Sequence, residues 1–261
     1  MIDIGVNFHS RQLDGKAEEL VERAKSAGVT GILATGTSEN ESTFAVALAA
    51  EYPDYVWATA GVHPHGAKNW TSRTRAHLEG LWAAATCVAV GEAGLDYNRM
   101  FSSVDEQRGA FEQQLESAIR IKKPLFLHCR DAFEDFRAMT RAAAQDGAFG
   151  VVHCFTGTAA EAEGHLADGF DIGITGWVAD PARGESLRAA LKMIPLERMH
   201  LETDAPYLMP RNKPKRGSVN EPSNLIWVAQ AVAEVLQIDV QRVAQITAEN
   251  SRRLFDLPSQ R

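Results

Sequence analysis

Short β-rich apolar runs recur eight times along the chain, near residues 2–6, 31–35, 56–62, 87–92, 124–128, 150–153, 170–175 and 199–204. Their starts are roughly 20 to 40 residues apart, which leaves room for one helix and two loops between successive runs. The intervening segments carry helical spacing: Leu20, Ala24 and Ala27 before the second run, and Phe111, Leu115, Ala118 and Ile119 before the fifth. Such alternation predicts repeated βα units around a parallel sheet. Eight units in a chain of 261 residues, 45% of them hydrophobic, predict one domain over residues 1–261 of the α/β class: a (β/α)8 TIM barrel with its site at the C-terminal strand ends.

Composition narrows the function classes. The net charge of −7 gives no global field that attracts a polyanion, so binding one needs a local basic patch or a metal. Three cysteines, Cys87, Cys129 and Cys154, are an odd number without CxxC spacing, which argues against a disulfide framework and a cysteine-zinc knuckle and suits a reducing compartment. No apolar run approaches the roughly 18 residues of a membrane span, and the N-terminus lacks a charged-then-apolar export pattern. The expectation is a cytoplasmic monomer with no membrane partner. After Pro210 comes a basic, turn-rich loop with Arg211, Lys213, Pro214, Lys215, Arg216 and Gly217, and an apolar-periodic tail resumes from Glu221 through Leu225, Val228 and Val232.

Several runs finish in a residue able to bind a metal: His63 after the third, Glu92 in the fourth, His128 in the fifth, His153 in the sixth and Asp204 in the eighth. In a barrel the C-terminal strand ends share one mouth, so these distant positions converge. Alternation pairs Val90 with Glu92, Phe126 with His128, Val151 with His153 and Glu202 with Asp204, which turns the candidate ligands inward. By the same rule Cys129 and Cys154 point outward and pack. Imidazoles with carboxylates form a nitrogen and oxygen site that accepts zinc, manganese or magnesium. A carboxylate at an inward strand end is otherwise a costly buried charge, which a cation offsets.

Each residue also has a plainer reading. A lone strand-end histidine is commonly a hydrogen-bonded structural group, and His9, His77, His165 and His200 are taken that way. His63 and His65 flank Pro64 in a turn, where either reaches the mouth or faces solvent. The loop from Arg211 to Arg216 is either a solvated turn or a phosphate contact beside the metals.

Five ordered motifs carry a family resemblance: AGVHPH ending at His65, GEAGLD ending at Asp96, LHCRD ending at Asp131, HCFTG ending at Gly157, and ETDAP ending at Pro206. With Asp3 and the NEP ending at Pro222 they span most of the chain. The chain resembles the TatD family of metal-dependent deoxyribonucleases, a branch of the amidohydrolase superfamily. The resemblance implies a TIM barrel with one to three divalent ions, Glu92, His128, His153 and Asp204 in ligand positions, and His63 as a further active-site histidine. It also implies a magnesium-dependent 3′ to 5′ exonuclease on single-stranded DNA and RNA, linked to DNA repair. Arg130, His65, Arg211 and Lys213 are the expected substrate contacts. Many family members carry an HxH pair at the end of strand one; here those positions are Gly5 and Asn7, so one ion is expected to bind firmly and a second weakly. The DIGVN-like start and the GITGW run ending at Trp177 resemble the TatD-proper subgroup.

The mechanism expected from these residues has an ion held by Glu92, His128 and His153 that acidifies water, with Asp204 as proton acceptor. Trp177, Trp70 and Tyr207 are candidate stacking residues for unpaired bases. Two alternatives remain open at this level: a metal-dependent hydrolase of a small amide, ester or aminoacyl bond, and a metal-stabilised binding protein without turnover.

Overall fold

The computed structural model describes residues 1–215 and 217–258; Arg216, at the end of the basic loop, lies outside the described residues. Eight strands hydrogen-bond in chain order in one sheet: β1 (Ile2–Val6), β2 (Gly31–Ala34), β3 (Val56–Ala60), β4 (Cys87–Asp96), β5 (Leu125–Arg130), β6 (Gly150–Val152), β7 (Asp171–Ile174) and β8 (Met199–Leu201). Helices α1 (Ala17–Ser26), α2 (Glu39–Glu51), α3 (Ser72–Trp82), α4 (Val104–Ile121), α5 (Phe133–Gln145), α6 (Ala159–Ala167) and α7 (Glu185–Leu191) follow the first seven strands in turn. After β8 come α8 (Leu225–Leu236) and α9 (Val240–Phe255). This is the (β/α)8 TIM-barrel fold. Among the described residues no helix is long and apolar enough to cross a membrane.

The chain divides into two compact units. The first comprises Met1–Leu33, Cys154–Ala167 and the chain from Asp171 onward. Within it Val6 bridges in parallel to Ala205, and the Asn7 N–H donates to the Ala205 carbonyl at 2.8 Å, so β1 is held beside the segment that follows β8. The second comprises Ala34–His153 with Asp168–Phe170. Apart from the last three residues of β5, its strands are buried runs because helices cover them, as a parallel sheet requires. Phe111 and Phe136 stack at 5.4 Å between α4 and α5, and Phe126, Leu125 and Leu127 are fully buried on β5.

Helix ends follow local chemistry. Ser103 accepts from the Glu106 N–H while the Glu106 carboxylate accepts from the Ser103 N–H at 2.7 Å, a reciprocal cap that starts α4. Lys122 ends that helix in the left-handed region, and Ala27, expected inside α1, is its C-terminal cap. β4 runs to Asp96, four residues beyond the expected end at 92, whereas β6 and β8 stop short of His153 and Asp204.

Candidate metal centre

The site in the second unit is built where β4 and β5 lose simple register. Val90 lies opposite Leu125 but Ala93 opposite Leu127, so β4 uses three residues where β5 uses two. Such a bulge bends a strand and re-aims the side chain it carries, and the side chain here is Glu92. Gly91 and Gly94 flank it with φ of +139° and +147°; a Cβ on Gly94 would lie 1.9 Å from the His128 carbonyl oxygen. The Glu92 N–H turns away from β5 and donates to the Gly36 carbonyl at 2.8 Å.

Three imidazoles surround one oxygen of the Glu92 carboxylate, which is 5% exposed. From Glu92 Oε1, His153 Nε2 is 2.8 Å away, His128 Nδ1 3.0 Å and His63 Nε2 3.3 Å. One ligand atom each from His63, Glu92 and His128 lie within 4.8 Å of one another. His153 follows β6 directly and its ring stacks on Phe126 at 4.5 Å, which fixes its orientation. His63 receives the His65 N–H on Nδ1 at 3.1 Å.

Asp96 is a site residue that strand-end reasoning passed over. Its Oδ2 lies 3.3 Å from His128 Nε2 and 2.9 Å from His65 Nε2, so His128 is held between two carboxylates. An even separation on β4 puts Glu92 and Asp96 on one face, and that spacing was the available signal.

The electrostatics follow from this packing. Burial opposes the Glu92 charge, but His153, His63 and His128 outweigh it and hold the carboxyl well below the usual carboxylate range. Asp96 is likewise depressed, with burial overcome by His128 and the Arg99 N–H. Burial pushes His63 down to about 3, so it is neutral at pH 7. For His128, burial favours the neutral ring, but Asp96 and Glu92 raise it overall. A set of nitrogen and oxygen donors with no sulfur fits a divalent cation.

Asp204 belongs to the first unit and stands in the left-handed region at φ +52°, three residues past β8. Strand alternation therefore does not orient it. Asn7 donates its side-chain amide to Asp204 Oδ1 at 2.9 Å and to the Ala205 carbonyl at 3.3 Å, while Thr203 is tied to Asp3 Oδ1 and Oδ2 at 2.9 and 2.6 Å. Asn7, where an HxH histidine was absent, fixes the aspartate instead.

The other predicted residues are scattered. Arg130 is exposed at the end of β5. Arg211 Nε is 3.7 Å from Asp180 Oδ2, and Lys213 Nζ donates to Asn224 Oδ1 at 2.5 Å. Trp177 lies under the Arg183 guanidinium at 4.3 Å, and Tyr207 is exposed. Cys87 is buried, which pushes its thiol up to about 12. Cys129 and Cys154 are only half-buried, against the expectation of packed side chains. For Cys154 the reason is its φ of +47°, which breaks the strand pattern directly after His153. His200 is structural as expected: it is buried and contacts Ser251 Oγ at 2.9 Å and Asp171 Oδ2 at 3.0 Å.

A β/α barrel holding a buried carboxylate ringed by imidazoles defines the class, a metal-dependent hydrolase. Residues 2–256 match the family model described as TatD related DNase, and the chain belongs to that family of metal-dependent nucleases. It is 48% identical to the 3′-5′ ssDNA/RNA exonuclease TatD of Rahnella sp. (strain Y9602), with all of both chains covered. Against the protein of the same name from Yersinia pseudotuberculosis serotype O:3 (strain YPIII) the identity is 49%, over 98% of this chain and 100% of the relative. Among solved structures, the TatD homologue YJJV of Escherichia coli K12 superposes with a TM-score of 0.90 at 28% identity, over 99% of this chain and 98% of that one. A TatD-family hydrolase from Entamoeba histolytica gives 0.88 at 26%, with the same coverage.

Proposed function

We propose that the chain is a 3′ to 5′ exonuclease that removes nucleotides from single-stranded DNA or RNA, with magnesium as its native ion and manganese or zinc able to replace it. The observation that carries this reading is the histidine-ringed Glu92 in a chain that matches, end to end, relatives bearing that activity in their names. Glu92, His128 and His153 would hold the ion, with His63 closing the set. The chemistry supplied by a divalent ion bound there would be polarisation of a phosphoryl oxygen and a more acidic water. Asp204 accepts the proton from the attacking water, and the Asn7 amide keeps its carboxylate oriented for that task. Glu92 contributes to catalysis through its charge. Arg130, His65, Arg211 and Lys213 contact the phosphates, Arg130 and Arg211 through guanidinium groups whose forked donors suit phosphate oxygens.

The proposal takes residues 1–261 as one barrel domain acting as a monomer in the cytoplasm, where trimming of single-stranded ends serves DNA repair. Its test is digestion of single-stranded DNA labelled at either end by metal-stripped protein repleted with magnesium, manganese or zinc. The expected result is laddering from the 3′ end that appears only with metal and is lost in Asp204→Asn. Full turnover by that variant would remove Asp204 from its role. Intact DNA under every metal would favour the hydrolase of a small amide or ester.

A further inference from the structure

Four rings form a path from the buried cluster to the surface. His128 meets His63 edge-on at 4.4 Å between centroids, His63 meets His65 at 4.3 Å, and His65 meets Phe101 at 4.9 Å. The three histidines are half-buried, whereas Phe101 is 57% exposed and its neighbour Met100 is 49% exposed. A single exposed apolar side chain is ordinary on a protein surface. Phe101 differs in how firmly its loop is held and in what lies beside it.

The loop from Tyr97 to Ser103 is stapled from beneath by the buried Gln107. The Gln107 amide donates to the carbonyls of Asp96 and Ser102, both at 3.0 Å, and its oxygen accepts from the Asp96 N–H at 2.8 Å. Asp96 Oδ1 accepts from the N–H groups of Asn98 and Arg99 at 2.9 and 2.8 Å. Ser102 donates to the His65 carbonyl at 3.1 Å and receives the Lys68 N–H at 3.0 Å. This network fixes both flanks of Phe101 without burying its ring. An aromatic side chain presented rigidly loses little freedom when a flat partner settles on it. Arg99 on the same loop, Arg130 and Lys68 are exposed cations, and the Arg130 carbonyl is tied to the loop by the Tyr97 N–H at 2.9 Å.

We infer that Phe101, with His65 behind it, forms a base-binding subsite on which an unpaired base of the nucleic-acid strand stacks beside the Glu92 cluster. Any base offers a π-face, so the contact selects for an unstacked, single-stranded substrate without reading its sequence. A base-paired end keeps its bases stacked within the duplex and cannot use the platform. The inference rests on the exonuclease reading and adds to it the group that grips the base.

The test compares native protein, Phe101→Ala and Phe101→Trp on a single-stranded oligodeoxynucleotide and on the same strand with abasic sugars at its 3′ end. Phe101→Ala is expected to raise KM on the base-carrying strand about tenfold, with kcat within about twofold. Phe101→Trp is expected to keep the native KM, and its tryptophan emission to be quenched by the oligonucleotide beyond the quenching shown by native protein with its five tryptophans, in the presence of chelator, when no turnover occurs. On the abasic strand native protein and Phe101→Ala are expected to have the same KM. Unchanged KM for Phe101→Ala on the base-carrying strand, or an equal rise on the abasic one, overturns the subsite while leaving the nuclease intact. Native protein that cuts neither strand overturns the exonuclease reading and the subsite with it.

Discussion

His128 has a carboxylate at each ring nitrogen, Glu92 at Nδ1 and Asp96 at Nε2. A ligating imidazole needs its second nitrogen anchored, and partners that do this typically matter about 10- to 100-fold in metal affinity or activity. Asp96→Asn is therefore expected to weaken the ion about tenfold or more, measured by calorimetric titration of stripped protein. Native affinity in that variant would reduce Asp96 to a loop-holding role. The convergence of Glu92, His128 and His153 was legible because imidazole and carboxylate are unusual at inward strand ends. Asp96 was not, because it lies past the expected strand end, and its role depends on where His128 and His65 point.

A second carboxylate makes a prediction away from the site. Burial works against the Asp171 charge, but His200 and Arg198 hold the carboxyl below its ordinary range. A folded pKa lower than the unfolded one means that the unfolded chain binds more protons in acid. The contribution of Asp171 to stability is therefore full above about pH 4 and is lost as the pH falls through the folded value. Asp171→Asn is expected to cost about 3 kcal/mol at pH 7, with the gap to native protein narrowing below about pH 4 in urea titrations. A gap that persists undiminished in acid would show that shape, not charge, is what Asp171 supplies.

At the scale of elements, β4 is the one that the site reshapes. Its apolar run was readable to Glu92, but the bulge between Val90 and Ala93 and the extension to Asp96 come from pairing with β5, which a one-dimensional pattern does not contain. The short β6 and β8 show the reverse effect. Their runs continue apolar or alternating beyond the ladder, while Cys154 and Asp204 adopt positive φ that ends strand geometry. Gly94 measures how tightly β4 is committed. Gly94→Ala is expected to destabilise by about 3 kcal/mol or more, since Cβ meets backbone at a positive φ. Gly109→Ala, inside α4 with nothing within 4 Å of the added carbon, is expected to stabilise by up to about 1 kcal/mol. Thermal melting of the two variants checks both signs, and equal stability would contradict the close approach of β4 to β5.

Over the whole molecule, the eightfold βα rhythm was legible because each unit must bury an apolar strand under an amphipathic helix, and that need recurs along the entire chain. The charge of −7 argued against a polyanionic substrate, yet the chain belongs to a nuclease family. Net charge averages over a surface, whereas a phosphate meets only a divalent ion and a few local cations. Hydrolysis is therefore expected to depend on occupancy of the Glu92 cluster. The most direct measurement titrates magnesium or manganese into stripped native protein and Glu92→Gln, following calorimetric binding and hydrolysis of single-stranded DNA in parallel. Native activity is expected to rise in step with occupancy, and Glu92→Gln to lose both. Hydrolysis that persists in excess chelator, or a Glu92→Gln variant that cuts at the native rate, would contradict that dependence.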